Sequence, residues 1–272
     1  MPLIVFSVAF GLATTQLGRK GMAMSRFLSS GASVCLRLVD YAMYVAPLGL
    51  LSYFACTVVD TGQHLAAAYV KVFWIYYVFS TFYFFGGFTL YAYASGRLPA
   101  VRRFWSNALR PSLTAIGTCS SLATMPVTLE VAPAMRIPLS VRDLVIPAGT
   151  TLHKDGSVIG GVLKILFLFG VVHQDHTIGR LLAIIVVSVL VGVVMGAIPS
   201  GGLMGETLIL SVFGFPPESL PLIAVISVLI DPAATLLNAL DDLIASMLVT
   251  RLTYGDVWAT GKASRNQRVV ME

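Results

Sequence analysis

Gly149-Thr150-Thr151-Leu152-His153-Lys154-Asp155-Gly156-Ser157 interrupts an apolar segment that runs from Leu144 to Val172. A lysine and an aspartate beside a histidine are unfavourable in hydrocarbon, by about 2.5–3.5 kcal/mol per charge on insertion scales. Glycines at 149 and 156 bracket the charges, as expected where a helix is broken to free backbone carbonyls. Irregular backbone at membrane depth persists only where it is buried in protein or lines a cavity. The stretch therefore reads as the floor of a binding site. The alternative is a polar loop between two short helices.

The composition around it points to lipid. The chain of 272 residues is 57% hydrophobic and 11% charged, with a mean hydropathy of +0.84, against about a quarter charged in a soluble domain. A net charge of +5 could signal nucleic acid, but fourteen of the eighteen basic residues fall in 19–37, 97–110, 136–142 and the tail from 251. That clustering is a positive-inside pattern and places the basic face, with the C-terminus, in the cytoplasm. No nucleic-acid partner is expected. Cys35, Cys56 and Cys119 have neither metal nor redox spacing. Met1 runs directly into an apolar segment with no basic leader, so the chain is expected to begin inside a membrane segment.

In chain order, Pro2–Thr15 is apolar but short for a span, Gly18–Arg26 reads as a basic loop, and Ala32–Val59 reads as a span with Arg37 and Asp40 paired near its start. Leu65–Ser95 is an aromatic-rich span followed by a basic loop, Arg97–Arg110. Ser112–Val131 is too polar for a lipid-facing helix and reads as a re-entrant hairpin with its tip at Thr118–Ser121. After the broken span comes a polar loop, His173–Arg180. Leu181–Gly214 is too long for one span and breaks at Gly196–Gly202, which reads as a second re-entrant hairpin. Leu220–Leu252 is the last span.

That last span carries Asp231, Asn238 and Asp242. Offsets of 7 and 11 put them within about 40° of one another on a helix, a polar stripe that either lines a cavity or bonds to neighbouring helices. Lys154 is the candidate counter-charge for the acids. A hairpin precedes a polar-bearing span twice, the first span broken by polar residues and the second carrying the polar stripe, a transporter pattern with the site where hairpin tips meet.

Four motifs carry a family resemblance. Thr118-Cys-Ser-Ser-Leu-Ala-Thr-Met-Pro-Val-Thr-Leu129 resembles the serine-rich first hairpin of the dicarboxylate/amino acid:cation symporters, the glutamate transporter family. Pro147–Ser157 resembles its Pro-Leu-Gly-Ala-Thr-x-Asn-Met-Asp-Gly-Thr motif, Gly196–Gly202 its second hairpin tip, and Asp231–Asp242 its last-helix motif. The resemblance implies an all-α integral membrane protein with broken transmembrane helices and two re-entrant helical hairpins. It is an elevator fold lacking counterparts of the first three spans and most of the fourth. Residues 1–64 would be a scaffold remnant and 65–272 the transport domain.

The resemblance also implies roles. Ser120, Ser121 and Asn238 would hold a solute carboxylate, and Asp231 its α-ammonium, with Ser157, Ile198, Gly202 and Ala234 lining the pocket. Gly149, His153, Asn238 and Asp242 match one sodium site, Thr151 another, and Asp155 part of a third. Pro199, Ser200 and Gly201 would form a gate. A homotrimer in lipid, a bacterial inner membrane, an amino acid or dicarboxylate solute, and sodium or protons as coupling ions follow as expectations. No cofactor is implied.

The departures shape the expectation. The family's side-chain-gripping arginine falls on Ala234, which removes a bidentate carboxylate clamp. A neutral amino acid or another small carboxylate is expected in place of aspartate or glutamate. His153 and Lys154 replace an Asn-Met pair, and Met195 stands where a cation-site threonine is expected. Lys154 would supply a tethered ammonium in place of a sodium ion, paired with Asp155 or Asp242, or else form a purely structural salt bridge. His153, with an ordinary pKa near 6.5, would permit proton coupling. An intramembrane hydrolase using Ser157 and His153 has neither of the expected motifs, and a non-transporting membrane fragment is the retained alternative.

Overall fold

The computed structural model describes residues 2–31, 63–172, 177–196, 201–255, Trp258 and seven isolated positions between 34 and 56. Among them every regular element is helical. The chain divides into two compact units, Met1–Val59 and Asp60–Glu272.

In the first unit, α1 spans Pro2–Gln16. The expected basic loop after it is a single 3-10 turn, Gly18–Lys20, followed by a helix, α2, over residues 22–31. The reason is local: after Gly18 at φ 53, Met22–Ser30 contains no residue that breaks a helix. Asp40, and with it the expected Arg37–Asp40 pair, lies outside the described residues, as does most of the span that holds it.

The second unit begins with α3, Gln63–Phe82, which passes through a π-helical turn at Tyr83–Gly87 into α4, Phe88–Asn107. The span expected to end at Ser95 does so through non-helical dihedrals at Gly96 and Arg97, but 98–107 resumes as helix where a basic loop was expected. Trp258 ties this kink down: its Nε1 donates to the Ser95 carbonyl at 3.0 Å, and Arg103 stacks over its ring. The core around it holds Phe88, Phe104, Met135, Leu240 and Met247.

Next come α5, Leu109–Thr118, and α6, Ser121–Val131. They fold back on one another about Cys119, which sits at φ 48, with Ser120 extended. Arg110 is bidentate on Glu130 at the far end of the pair, at 2.9 and 3.2 Å. The turn falls inside the expected hairpin tip. Ser120 makes it a helix start, because its Oγ accepts from Ala123 N at 3.2 Å.

The broken segment is α7, Leu139–Leu152, and α8, Asp155–Val171, with the break confined to His153 and Lys154. The bracketing glycines are not the breakers: both are helical, and their missing side chains allow close approach. A Cβ on Gly149 would strike Asp242 Oδ1, and one on Gly156 would strike the backbone of Ala234. α9, Ile178–Met195, and α10, Gly201–Phe213, flank a second break that begins at Gly196, φ 45. Gly205 lets the two pack, with Met195 and Val191 side chains directly over it. α11, Leu220–Tyr254, runs unbroken through Pro232 and packs against α3–α8 and α10. Among the described residues, three helical stretches are long and apolar enough to cross a membrane, Ala67–Asn107, Ile178–Met195 and Pro217–Tyr254.

Candidate functional site

Two residues without helical geometry, His153 and Lys154, leave α7 with orphan carbonyls and α8 with orphan N–H groups. α11 closes the gap. Asn238 Oδ1 accepts from Gly156 N at 2.9 Å and Ser157 N at 3.3 Å, while its Nδ2 donates to Ser157 Oγ at 3.0 Å. The helix start is thus capped by a residue some 80 positions away in sequence, and Asp155 in the first turn suits the helix dipole. Tyr76 on α3 adds a donor to the Gly156 carbonyl at 2.9 Å.

Around this junction the structure gathers the polar residues of four elements. Asp242 is buried; Thr150 donates to its Oδ2 at 2.8 Å, and its Oδ1 faces Gly149 with no hydrogen-bond partner. His153 stands between two carboxylates, with Nδ1 2.9 Å from Asp241 Oδ2 and Nε2 3.5 Å from Asp155 Oδ1. The first contact is short enough for an ion pair, yet Asp241 Oδ2 has no aligned hydrogen bond. The Tyr83 hydroxyl donates to Asp155 Oδ2. One ligand atom each from His153, Asp155 and Asp241 lies within 4.8 Å of the others, a set that could hold a cation.

The sequence led us to expect Lys154 to pair with Asp155 or Asp242, and it pairs with neither. Asp155 is held by Tyr83 and His153, and Asp242 by Thr150. The lysine instead reaches across to α6, where Nζ donates to Ser121 Oγ at 2.9 Å. Lys154 is only 5% exposed, and the carboxylates that act on its charge are Asp242 and then Asp231. Asp231 is exposed and accepts from Thr235 Oγ1 at 3.3 Å.

Of the remaining expected residues, Ser120 is engaged in capping, Ala234 is buried against Gly156, and the Thr151 hydroxyl turns back to Ala148 O at 2.8 Å, away from the cluster. Ile198, Pro199 and Ser200 lie outside the described residues, and Gly201 and Gly202 open α10.

Sequence reasoning missed Tyr83, Thr150, and the pairing of His153 with Asp241. It also missed a buried ion pair: Lys164 Nζ on α8 lies 3.2 Å from Glu206 Oε1 on α10, and Ser227 of α11 also donates to Glu206. Two opposite charges, each alone in an apolar run, were the available signal.

A sequence model of the sodium:dicarboxylate symporter family matches residues 1–252. The chain belongs to that family. Excitatory amino acid transporter 4 of Mus musculus is 27% identical over 255 residues, 92% of this chain and 45% of the relative. Excitatory amino acid transporter 1 of Ambystoma tigrinum is 27% identical over 277 residues, 99% of this chain and 50% of the relative. Excitatory amino acid transporter 3 of Oryctolagus cuniculus is 25% identical over 261 residues, 92% and 48%. The chain spans about half the length of these curated relatives. As a symporter-family member it is a multi-pass membrane protein, and its relatives are transporters, not enzymes.

Proposed function

We propose that this chain forms the solute- and cation-binding part of a secondary transporter for a small carboxylate-bearing solute, an amino acid or a dicarboxylate, coupled to sodium or protons. The observation that carries the reading is Asp242 Oδ1, a buried carboxylate oxygen without a partner, aimed at Gly149 beside a helix break. An unmet buried carboxylate is unfavourable unless a cation or proton joins it. Helix ends there offer carbonyls from α7 and N–H groups from α6, the two kinds of backbone ligand a cation and a carboxylate need.

On this reading residues 65–272 are the moving transport domain and 1–64 belong to a scaffold. The pairs α5–α6 and α9–α10 are re-entrant hairpins, with the 199–201 segment as gate over a pocket that includes Ser121, Ser157, Gly202, Asp231 and Ala234. The protein works as a homotrimer in a bacterial inner membrane, with its C-terminus in the cytoplasm.

The test is thermal unfolding of the detergent-purified chain against amino acids and dicarboxylates, with sodium, with potassium, and at low pH. A ligand that binds only the folded state raises the midpoint by mass action. A rise with a carboxylate solute that depends on sodium or protons is expected. No rise with any solute under any condition overturns the reading.

A further inference from the structure

We propose that Lys154 sets solute specificity, its ammonium holding the cation subsite of the pocket so that the preferred solute is a carboxylate lacking an α-ammonium group. This rests on the reading of Ser121 and Asp231 as pocket residues and deepens it to a substrate class.

Three observations carry it. Lys154 is buried, and its only hydrogen-bond partner among the described residues is a neutral hydroxyl, Ser121 Oγ at 2.9 Å. It makes no ion pair with a carboxylate among those residues, whereas the other buried lysine, Lys164, has Glu206 at 3.2 Å. A buried ammonium with no carboxylate in contact is unfavourable, and two of its three N–H groups are left to meet one. Second, the carboxylates that act on this ammonium are Asp242 and Asp231, so the negative field that would draw a solute's ammonium already acts on a fixed one. Asp231 is further offset by Lys164. Third, position 234 is an alanine buried against Gly156, so no guanidinium supplies the anion-binding charge there. Lys154 is left to do so.

The two classes of solute then fare differently. A carboxylate reaching Ser121 gains the ammonium already held there. An α-ammonium arriving at Asp231 adds a second positive charge to a pocket that already holds one, and like-charge juxtaposition disfavours it. The lysine is part of the chain, so it supplies charge without being carried or released.

The test uses solute pairs that differ only in the amino group, L-aspartate with succinate and L-alanine with propionate. Affinity is measured by calorimetry on the purified full chain, for the native protein, Lys154→Met and Lys154→Arg. The native chain is expected to favour the amino-free member of at least one pair by about tenfold or more. Lys154→Met should abolish or invert that preference, and Lys154→Arg should keep it. Preference of the native chain for the amino acids overturns the inference while leaving the transport reading intact, as does an unchanged ratio in Lys154→Met. If Lys154→Met does not fold, the native ratio and the arginine variant decide. Failure of every solute to bind the native chain overturns both.

Discussion

Replacing Lys164 with methionine breaks the ion pair that joins α8, α10 and α11. At the observed 3.2 Å between Nζ and Glu206 Oε1, the attraction is about 5 kcal/mol at an effective dielectric of 20. Both side chains are only 3% exposed, so solvent does not replace what is lost. Glu206 would keep the Ser227 donor but carry an uncompensated buried charge, and breaking such pairs costs about 3–5 kcal/mol. For a unit of this size that is a fall in the unfolding midpoint of about 6–20 °C. The physics also makes a sharper demand. Removing both charges together, as Lys164→Met with Glu206→Leu, leaves no orphan charge and only the half-buried Ser227 hydroxyl without its acceptor, and buried pairs replaced by apolar groups are often neutral or more stable. The double variant should therefore recover most of the midpoint lost by Lys164→Met alone. Thermal unfolding of the four proteins in one detergent, with the coupling taken as a double-mutant cycle, is the assay. Additive losses in the double variant would refute the reasoning, because they would mean that the two residues act through separate contacts.

Three further changes probe the junction itself. Gly149→Ala places a methyl where Asp242 Oδ1 lies; the expected loss is about 1–3 kcal/mol of stability, together with any sodium- or proton-linked rise in the midpoint, and persistence of that rise would remove Asp242 from the cation site. Asn238→Leu strips the acceptor from Gly156 N and Ser157 N and should cost about 1–3 kcal/mol for each group left unsatisfied. Hydrogen exchange in the first turn of α8 should quicken, and Asn238→Asp should restore protection. Tyr83→Phe removes a donor to a carboxylate, for an expected loss of about 1.5–3 kcal/mol; in an Asp155→Leu background the same change should be nearly silent, and an equal loss there would show that the hydroxyl acts elsewhere.

The helix breaks were legible in the sequence because each is written locally. Charges in an apolar run mark His153 and Lys154, and a cluster of small polar residues marks Cys119 and Ser120. The glycines at 149 and 156 were read as breakers because the same absent side chain that permits odd dihedrals also permits close packing, and only the neighbour distinguishes the two. Here the neighbours are Asp242 and Ala234 on α11. The basic segment after Arg97 was read as a loop from its charge, but nothing in 98–107 beyond Pro99 opposes a helix, and a proline in a first turn is tolerated. Tyr83 had no local signal. Its reach to Asp155 depends on a π-turn that redirects one side chain of an aromatic run.

What remained unreadable was partner choice. Periodicity states which face a residue occupies, not which element comes to meet it. Lys154 meets Ser121 across 33 positions, Lys164 meets Glu206 across 42, Asp155 meets Tyr83 across 72, and Thr150 meets Asp242 across 92. Each lone polar residue in an apolar helix poses a demand, and the fold answers nearly all of these demands with one another. Among the described residues, the buried carboxylate oxygens left without an aligned hydrogen bond share one place. Asp242 Oδ1 and Asp241 Oδ2 lack aligned partners, and Lys154 has a hydroxyl where an anion is needed. A chain able to satisfy Lys164 with Glu206 elsewhere in its core is not short of ways to neutralise charge. That one oxygen on each of two buried acids lacks an aligned hydrogen bond, and a buried ammonium lacks a contacting carboxylate, around a single helix break is therefore best explained by partners that arrive from outside, a cation for the acids and a carboxylate for the lysine.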